Sequence, residues 1–256
     1  MAHWTFCRVA SLITKGFFYI PLVTFAGSFW DSQLWHPVLG VESGVAFISH
    51  ASKGKIFPIE DPVKDEFYRY SPNKKTNTPV IYGGFLGAEW RGFSHFAVQL
   101  DAKYNQSSSF SVHGNLVQGV DVQSEDHYTY KYSVRIRQLL AEGKFQYVLK
   151  WFRPYAMLGL GAGFNIANHF STNVPSTLAL TRMYKGHSNA SFSYLVGAGM
   201  DFDIVKYLRL GVGYRFAELG KVSLGSANID GIATGGTLSQ SHVYSNEILA
   251  QLTIVF

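Results

Sequence analysis

Charged side chains are scarce in this sequence of 256 residues. They make up 15% of the chain, whereas soluble domains typically carry about 25%. Hydrophobic residues reach 47%, yet no window holds the roughly 18 uncharged apolar residues that a membrane-spanning helix requires. The apolar residues are therefore distributed over short segments, a pattern that favours β-structure and leaves a membrane barrel open.

Cysteine is almost absent, and the basic residues are dispersed. The single cysteine, Cys7, cannot form an intrachain disulfide and provides no metal-binding cluster. The nine histidines are scattered without ligand spacing, so we predict no metal site and no cofactor. The formal net charge of +5 is accompanied by no concentrated Lys/Arg run and no basic helix, so we predict no nucleic-acid partner.

The start of the chain has the composition of a secretory leader. Arg8 and Lys15 precede a short apolar run that ends in small residues around Ala26. A charged start, a short apolar core and a small-residue exit are typical of cleaved signal peptides. We predict a leader at residues 1–26 and a mature domain at residues 27–256, with a buried N-terminal strand as the alternative.

Eight segments after the leader alternate apolar and polar residues with the period of two that β-strands require. They lie at residues 38–48, 80–90, 95–105, 128–147, 155–166, 192–202, 208–216 and 245–256. The fourth segment opens with Tyr128, Tyr130 and Tyr132 on its apolar parity. Its alternation becomes unclear over residues 138–147, where we expect a β-bulge or a change of register.

The connections between these segments alternate in length. Short connections lie at residues 91–94, 148–153 and 204–207, and long ones lie at residues 51–78, 106–127, 167–190 and 217–242. Long loops at every second connection are uncommon in soluble domains, but membrane barrels combine short periplasmic turns with long outer loops. We therefore predict an all-β fold: an eight-stranded antiparallel up-and-down transmembrane β-barrel with long extracellular loops and short periplasmic turns.

The two parities of the segments differ in size and polarity. The apolar rows are bulky and would overfill an eight-stranded interior, whereas the opposite rows combine glycines with charged side chains. We therefore assign the apolar rows to lipid and predict a luminal charge network. Its members are Glu42, Glu89, Asp101, Lys103, Arg135, Arg137, Asp201, Arg209, Arg215 and Glu247. Such a network acts either as a structural plug, which we favour, or as a gate or ion path.

Three stretches resemble a known group of proteins. "RPYAMLGLGAGF" and "YLRLGVGYRF" resemble recurrent strands of the eight-stranded opacity-protein, OmpX and OmpA-transmembrane group of Gram-negative outer-membrane barrels. The last strand, with Leu252, Ile254 and Phe256 on one parity, resembles the C-terminal assembly signal of that class. The likeness covers about residues 35–256. It implies the outer membrane as location, lipid and lipopolysaccharide as surroundings, and the barrel-assembly machinery as a partner during insertion.

For the function we predict a structural or surface-interaction role, of the adhesion or opacity type, carried by the extracellular loops. The first long loop contains six basic and four acidic residues over residues 51–79, so lipopolysaccharide phosphates or a host or matrix surface are candidate partners. An ordinary solvated loop is the alternative. A narrow channel or porin, a lipid A-modifying hydrolase and a soluble lipocalin-like carrier are the other functions left open.

One short stretch contains residue types that could carry catalysis. "NHFST" (168–172) places His169 and Ser171 two residues apart, on one face of a strand. A histidine beside a serine hydroxyl, helped by a carboxylate, can activate a nucleophile, and some lipid A deacylases resemble this arrangement. The sequence shows no third partner, so we predict that the protein is not an enzyme and keep this pair only as catalytic candidates.

Overall fold

The structure, a computed structural model, describes residues 34–50, 55–58, 67–73, 75–119, 125–175, 183–229 and 232–256. All the regular elements in these ranges are β-strands. The same ranges contain no helix that is long and apolar enough to cross a membrane. The leader predicted at residues 1–26 lies outside the described part of the chain.

The described residues form fourteen strands. They are β1 (Trp35–His50), β2 (Lys55–Pro58), β3 (Phe67–Pro72), β4 (Val80–Phe93), β5 (Phe96–Ser107), β6 (Phe110–Gly119), β7 (Glu125–Tyr147), β8 (Phe152–Thr172), β9 (Met183–Tyr184), β10 (His187–Val205), β11 (Leu208–Glu218), β12 (Val222–Ile229), β13 (Ile232–Gln240) and β14 (Val243–Val255). Eight of them close into a ring in the order β1, β4, β5, β7, β8, β10, β11, β14. The predicted eight-stranded antiparallel barrel is confirmed.

The ring closes where the first and last strands meet. β1 and β14 pair antiparallel without a break from Val38↔Val255 to His50↔Val243. The backbone N–H of Phe256 adds a hydrogen bond of 3.0 Å to the carbonyl of Pro37. Closure gives every ring strand two neighbours, which backbone groups in hydrocarbon require because no water is present to bind them.

The apolar rows point away from the barrel interior on seven of the eight ring strands. Leu100, for example, is 55% exposed, whereas its neighbours Asp101 and Gln99 are buried. Exposed apolar side chains on the other strands include Leu39, Val41, Leu86, Leu158, Leu160, Val196, Val212, Ile248 and Leu252. The lipid-facing orientation predicted for these strands is confirmed, and their exposed side chains form what we call the apolar band.

On β7 the predicted orientation is wrong for the first half of the strand. Tyr130, Tyr132, Val134 and Ile136 are buried inside, and Arg135 is exposed outside. The same parity stays inside to the end of the strand, through Gln138, Leu140, Glu142, Lys144 and Gln146. β7 pairs with β5 in unbroken register from Gln106↔Arg137 to Phe96↔Tyr147. The expected bulge or register change over residues 138–147 is therefore also wrong.

The change of composition along β7 has a simple physical cause. On the C-terminal side of Ile136 the outer face of β7 carries Leu139 and Phe145, both exposed, and these side chains suit lipid. On the N-terminal side, which we call the upper part, the outer face carries Arg135 and Lys131, also exposed, and these side chains suit water. The inner face changes in the opposite sense, because apolar side chains are buried wherever the outside is aqueous. The even-numbered residues of β7 therefore face the interior on both sides of the edge of the hydrocarbon, and the strand has no break at that level.

Much of what we predicted as long extracellular loops is β-structure. β6 pairs with the start of β7, β3 pairs with β6, and β2 pairs with β3, while β9, β12 and β13 form a separate three-stranded sheet. We call these six strands, together with residues 125–136 of β7, the outer extension. Alternate residues such as Val112, Leu116 and Leu224 are buried in it, so its Ser-, Gly- and Asn-rich composition does not mark loops. At the opposite end the ring strands are joined by residues 94–95, 148–151 and 206–207.

The first prediction tests the lipid-facing assignment. Leu100→Arg should lower the free energy of unfolding in lipid vesicles by about 2–4 kcal/mol, because Leu100 lies midway along the apolar band and arginine is costly at the bilayer midplane. Asn115→Arg, on the exposed face of β6, should change it by less than about 0.5 kcal/mol. Urea titrations of refolded protein measure both values, and equal effects of the two substitutions would contradict the assignment.

Candidate functional site

The ring encloses two layers of side chains. The layer at the end of the short connections is polar and charged, and we call it the ionic layer. The layer next to the outer extension is built of buried aliphatic and aromatic side chains, and we call it the apolar layer. A cavity of about 10 Å³ lies where the layers meet, between residues such as Ile48, Asn105 and Arg215. This volume is at the lower limit for one water molecule.

Arg215 and Lys103 hold the upper part of the ionic layer together. Arg215 donates from Nη1 to Oε1 of Glu42 (2.6 Å) and from Nε to Glu247. Lys103 Nζ donates to Oε2 of Glu142 (2.6 Å) and to Oε2 of Glu42 (3.1 Å). All five side chains are at least 96% buried, so these contacts replace the water that the ions have lost.

Lys144 occupies the middle of the ionic layer. Its Nζ donates to Oδ2 of Asp201 (2.7 Å) and to Oε1 of Gln251 (3.1 Å), and it lies 3.8 Å from the centroid of the Tyr155 ring. Asp101 accepts a hydrogen bond of 2.7 Å from Nε2 of Gln99. The middle of the lumen is thus filled by hydrogen-bonded polar groups.

Glu89 and Asp203 organise the end of the lumen nearest the short connections. Glu89 pairs with Arg209, with Arg153 at 3.4 Å and with the partly exposed Arg91 at 2.5 Å. Asp203 accepts hydrogen bonds of 2.9 Å from Nε of both Arg153 and Arg209. Two carboxylates and three guanidinium groups therefore close this end of the barrel.

Small residues make room for these long side chains. A Cβ atom at Gly197 would lie 2.7 Å from Cβ of Arg215, and one at Gly199 would lie 2.6 Å from Cζ of Tyr155. Both distances are shorter than van der Waals contact. Gly197 and Gly199 therefore do more than weaken the strands, since they leave space that Arg215 and Tyr155 fill.

The structure places eight of the ten residues predicted for the luminal network inside the ring. They are Glu42, Glu89, Asp101, Lys103, Asp201, Arg209, Arg215 and Glu247, and all are buried. The prediction is wrong for Arg135, which is exposed, and for Arg137, which lies half-buried on the same outward row. The reason is the change of composition along β7, because the inward-facing residues are apolar above Ile136 and mostly polar below it.

The sequence reasoning also missed charged members of the ionic layer. Glu142, Lys144 and Arg153 are buried and ion-paired. Glu142 and Lys144 belong to an even-numbered row, from residue 138 to residue 146, that is polar except for Leu140 and alternates with Leu139, Ala141 and Phe145. This row was the available signal, and the aromatic start of β7 obscured it.

The two catalytic candidates lie at an irregular point of β8. The β7–β8 register moves from Ser133↔Asn168 to Lys131↔Ser171, so β8 contains one extra residue there, a β-bulge. His169 has a positive φ of 53° and is exposed, and its Nδ1 lies 2.8 Å from Oδ1 of Asn168. Among the described contacts none joins His169 to Ser171. The residues that the structure describes contain no group of three or more His, Cys, Asp or Glu placed to hold a metal ion.

Four aromatic rings connect the ring strands to the outer extension. Tyr70 of β3 contacts Tyr130 of β7 and Tyr184 of β9, with ring centroids 5.4 Å and 5.6 Å apart. Phe170 of β8 lies 5.0 Å from Tyr184 and 5.9 Å from Tyr130. Burial raises the pKa of the Tyr130 phenol well above its usual range, so this hydroxyl stays uncharged. These contacts give the extension a core of its own.

Aromatic side chains also border the apolar band at both ends. Near the short connections the ring of Trp151 stacks on Phe202, with centroids 5.7 Å apart. Near the outer extension the hydroxyls of Tyr82 and Tyr104 are hydrogen-bonded to Gln106, at 2.7 Å and 3.0 Å. Leu252, Ile254 and Phe256 all point outward from the end of the chain. A closed ring with an apolar exterior, aromatic borders and a paired ionic lumen defines a transmembrane β-barrel.

The chain belongs to the family described as outer membrane protein beta-barrel domain, which matches residues 63–244. It is therefore an outer-membrane β-barrel protein, and its location is the bacterial outer membrane. No curated protein is similar to it in sequence at a significant level.

Solved structures of other barrels are similar in fold. Neisserial surface protein A has 12% sequence identity and a TM-score of 0.42, with 86% of this chain and 97% of that chain covered. The outer membrane protease OmpT from Escherichia coli has 9% identity and a TM-score of 0.46, covering 87% and 96%. Ail, the attachment invasion locus protein of Yersinia pestis, has 12% identity and a TM-score of 0.37, covering 86% and 98%.

The second prediction tests the ionic layer. Lys103→Met should lower the free energy of unfolding by about 3–5 kcal/mol, because it leaves a buried carboxylate without its cation. Adding Glu142→Gln to that variant should restore part of the loss, since the pair at 2.6 Å is then removed as a unit. Lys150→Met, at an exposed turn position, is the matched control and should change stability by less than about 0.5 kcal/mol. A loss at Lys103 no larger than at Lys150 would show that the network does not stabilise the barrel.

Proposed function

We propose that the protein is a non-conducting outer-membrane anchor whose outer extension interacts with a cell or matrix surface. The observation that carries this proposal is the outer extension itself. It continues the barrel in β-structure beyond the apolar band and has an aromatic core that links β3, β7, β8 and β9. A folded extension supports a binding role because an ordered surface loses less conformational entropy on binding than a flexible loop does.

The proposal includes a route to the membrane. Residues 1–26 direct export as a cleaved leader, and the outward row of Leu252, Ile254 and Phe256 is recognised by the barrel-assembly machinery. The short connections at residues 94–95, 148–151 and 206–207 then face the periplasm, and the outer extension faces the outside. Support comes from the asymmetry of the barrel, since large structured segments are found at one end only among the described residues.

The proposed contact region is the segment between β2 and β3. This segment, residues 59–66, contains Glu60, Asp61, Asp65 and Glu66 together with one lysine. It connects β2 and β3, and β3 is anchored by pairing with β6 from Phe67↔Gly119 to Pro72↔Gly114. Its acidic character suits a basic patch on a partner surface. Catalysis is not part of the proposal, because His169 contacts Asn168 instead of Ser171.

The third prediction concerns conductance. Refolded protein inserted into planar bilayers should give no steady large openings, because paired charges and packed side chains fill the lumen. The recording needs a parallel proof of insertion, such as protection of the barrel from added protease. Steady openings that scale with the amount of inserted protein would refute the anchor and favour the channel.

The fourth prediction concerns surface binding. Cells that display a variant with residues 59–66 replaced by a Gly/Ser segment of equal length should bind host cells or matrix no better than cells without the protein. Replacement of residues 120–124, which connect β6 to β7, is the matched control and should leave binding in place. Surface labelling must show equal display of all variants. Unchanged adhesion of the first variant would remove this segment from the proposal.

A further inference from the structure

The outward row of β7 is basic immediately above the apolar band. Arg137 and Arg135 are consecutive on this row, and Lys131 follows after the intervening Ser133. The next outward residue below Arg137 is Leu139, which is 54% exposed. Side chains on one face of a strand are spaced by about 6.6–6.8 Å. Arg137 and Arg135 therefore lie at the edge of the hydrocarbon, where lipid headgroups are found, and Lys131 lies two outward positions, about 13 Å, higher.

Neighbouring strands extend this row into a polar surface. His113 of β6 pairs directly with Lys131, and Ser111 pairs with Ser133. Two adjacent clefts of about 360 Å³ and 320 Å³ open on this surface. Their lining includes the hydroxyls of Ser111 and Ser171, the amides of Asn73 and Asn173, and the ammonium groups of Lys75 and Lys131. Hydroxyl, amide and cationic groups dominate this lining, a composition that suits phosphorylated sugars.

Carboxylates are missing from this surface within the described residues. The outward positions of β6 from Ser111 to Asn115 and of β7 from Thr129 to Arg137 include no Asp or Glu. The described ion pairs accordingly include neither Lys131 nor Arg135, whereas Lys103, Lys144 and Arg215 in the lumen are all paired. Arg137 adds a second sign of an unmet interaction, because its Nε is buried and has no hydrogen-bond partner among the described residues.

We propose that Lys131, Arg135 and Arg137, with His113 beside them, bind the phosphate groups on sugar headgroups of outer-leaflet glycolipid. We call this surface the basic face. Arginine forms paired hydrogen bonds with phosphate oxygens, and a cation near an anionic membrane surface contributes favourably to binding. The position next to the apolar band selects a phosphate carried by a lipid, whose acyl chains then lie against Leu139 and its neighbours. This site is independent of the surface contact proposed for residues 59–66.

The test uses the full chain refolded in mixed micelles and measures bound lipid by native mass spectrometry. The probes are a bis-phosphorylated acylated glucosamine disaccharide, the same lipid without phosphates, and inorganic phosphate. The unmodified protein should retain the phosphorylated lipid in preference to the dephosphorylated one. The double variant Lys131→Gln/Arg135→Gln should bind the phosphorylated lipid at least about tenfold more weakly. The preference of the unmodified protein should also decline as salt is raised, because exposed charges are screened.

The matched control removes the same amount of charge from the other end of the barrel. Lys150→Gln/Lys206→Gln alters two exposed residues of the short connections and should bind the phosphorylated lipid as the unmodified protein does. Both variants must run as folded barrels on gels without heating. Equal loss in the two variants would reduce the effect to net charge and overturn the site. Equal retention of lipid with and without phosphate would overturn it too, as would competition by inorganic phosphate at concentrations comparable to the lipid.

Discussion

Closure of the backbone hydrogen-bond ring is the constraint on which the rest of this structure depends. Inside a bilayer each unpaired N–H or C=O group is costly, so an open sheet edge cannot persist there. β1 and β14 remove the last edge by pairing over thirteen residue pairs. The final residue takes part, since the N–H of Phe256 binds Pro37 and its carbonyl lies 3.1 Å from Nδ1 of His36. Phe256 is therefore part of the barrel wall.

Closure also decides where polar side chains can go. With lipid outside and eight strands leaving a narrow interior, the ions of the lower half must lie inside and must be paired. Beyond the apolar band the outside is water, and the same ring buries Ile48, Tyr132 and Leu219. The interior thus changes from ionic to apolar at the level where the exterior changes from apolar to polar. The same strands therefore face lipid over one part of their length and water over the other, and the cavity of about 10 Å³ lies at the level of this transition.

Periodicity was enough to predict the ring and the outward rows of seven strands, because the period of two holds wherever one environment lies on each side. It could not locate the level at which those environments exchange. Arg135 was therefore placed inside, and Glu142 and Lys144 were missed. Polar composition was likewise insufficient to distinguish loops from the strands of the outer extension, where Val112 and Leu116 are buried. Pairings across the lumen, such as Glu42 with Arg215, which are 173 residues apart, depend on barrel stagger and leave no local signal.

The same exchange of environments separates two kinds of charge. Lumen cations such as Lys103 and Arg215 are matched by carboxylates at 2.6 Å, so their fields largely cancel and they act through local contacts. The lumen therefore contributes little to the positive net charge of the chain. Lys131 and Arg135 are exposed on a surface without described carboxylates, where a field extends over roughly a Debye length of 8–10 Å. Charge that stabilises the barrel is thus hidden within it, and charge available to other molecules lies at the edge of the membrane.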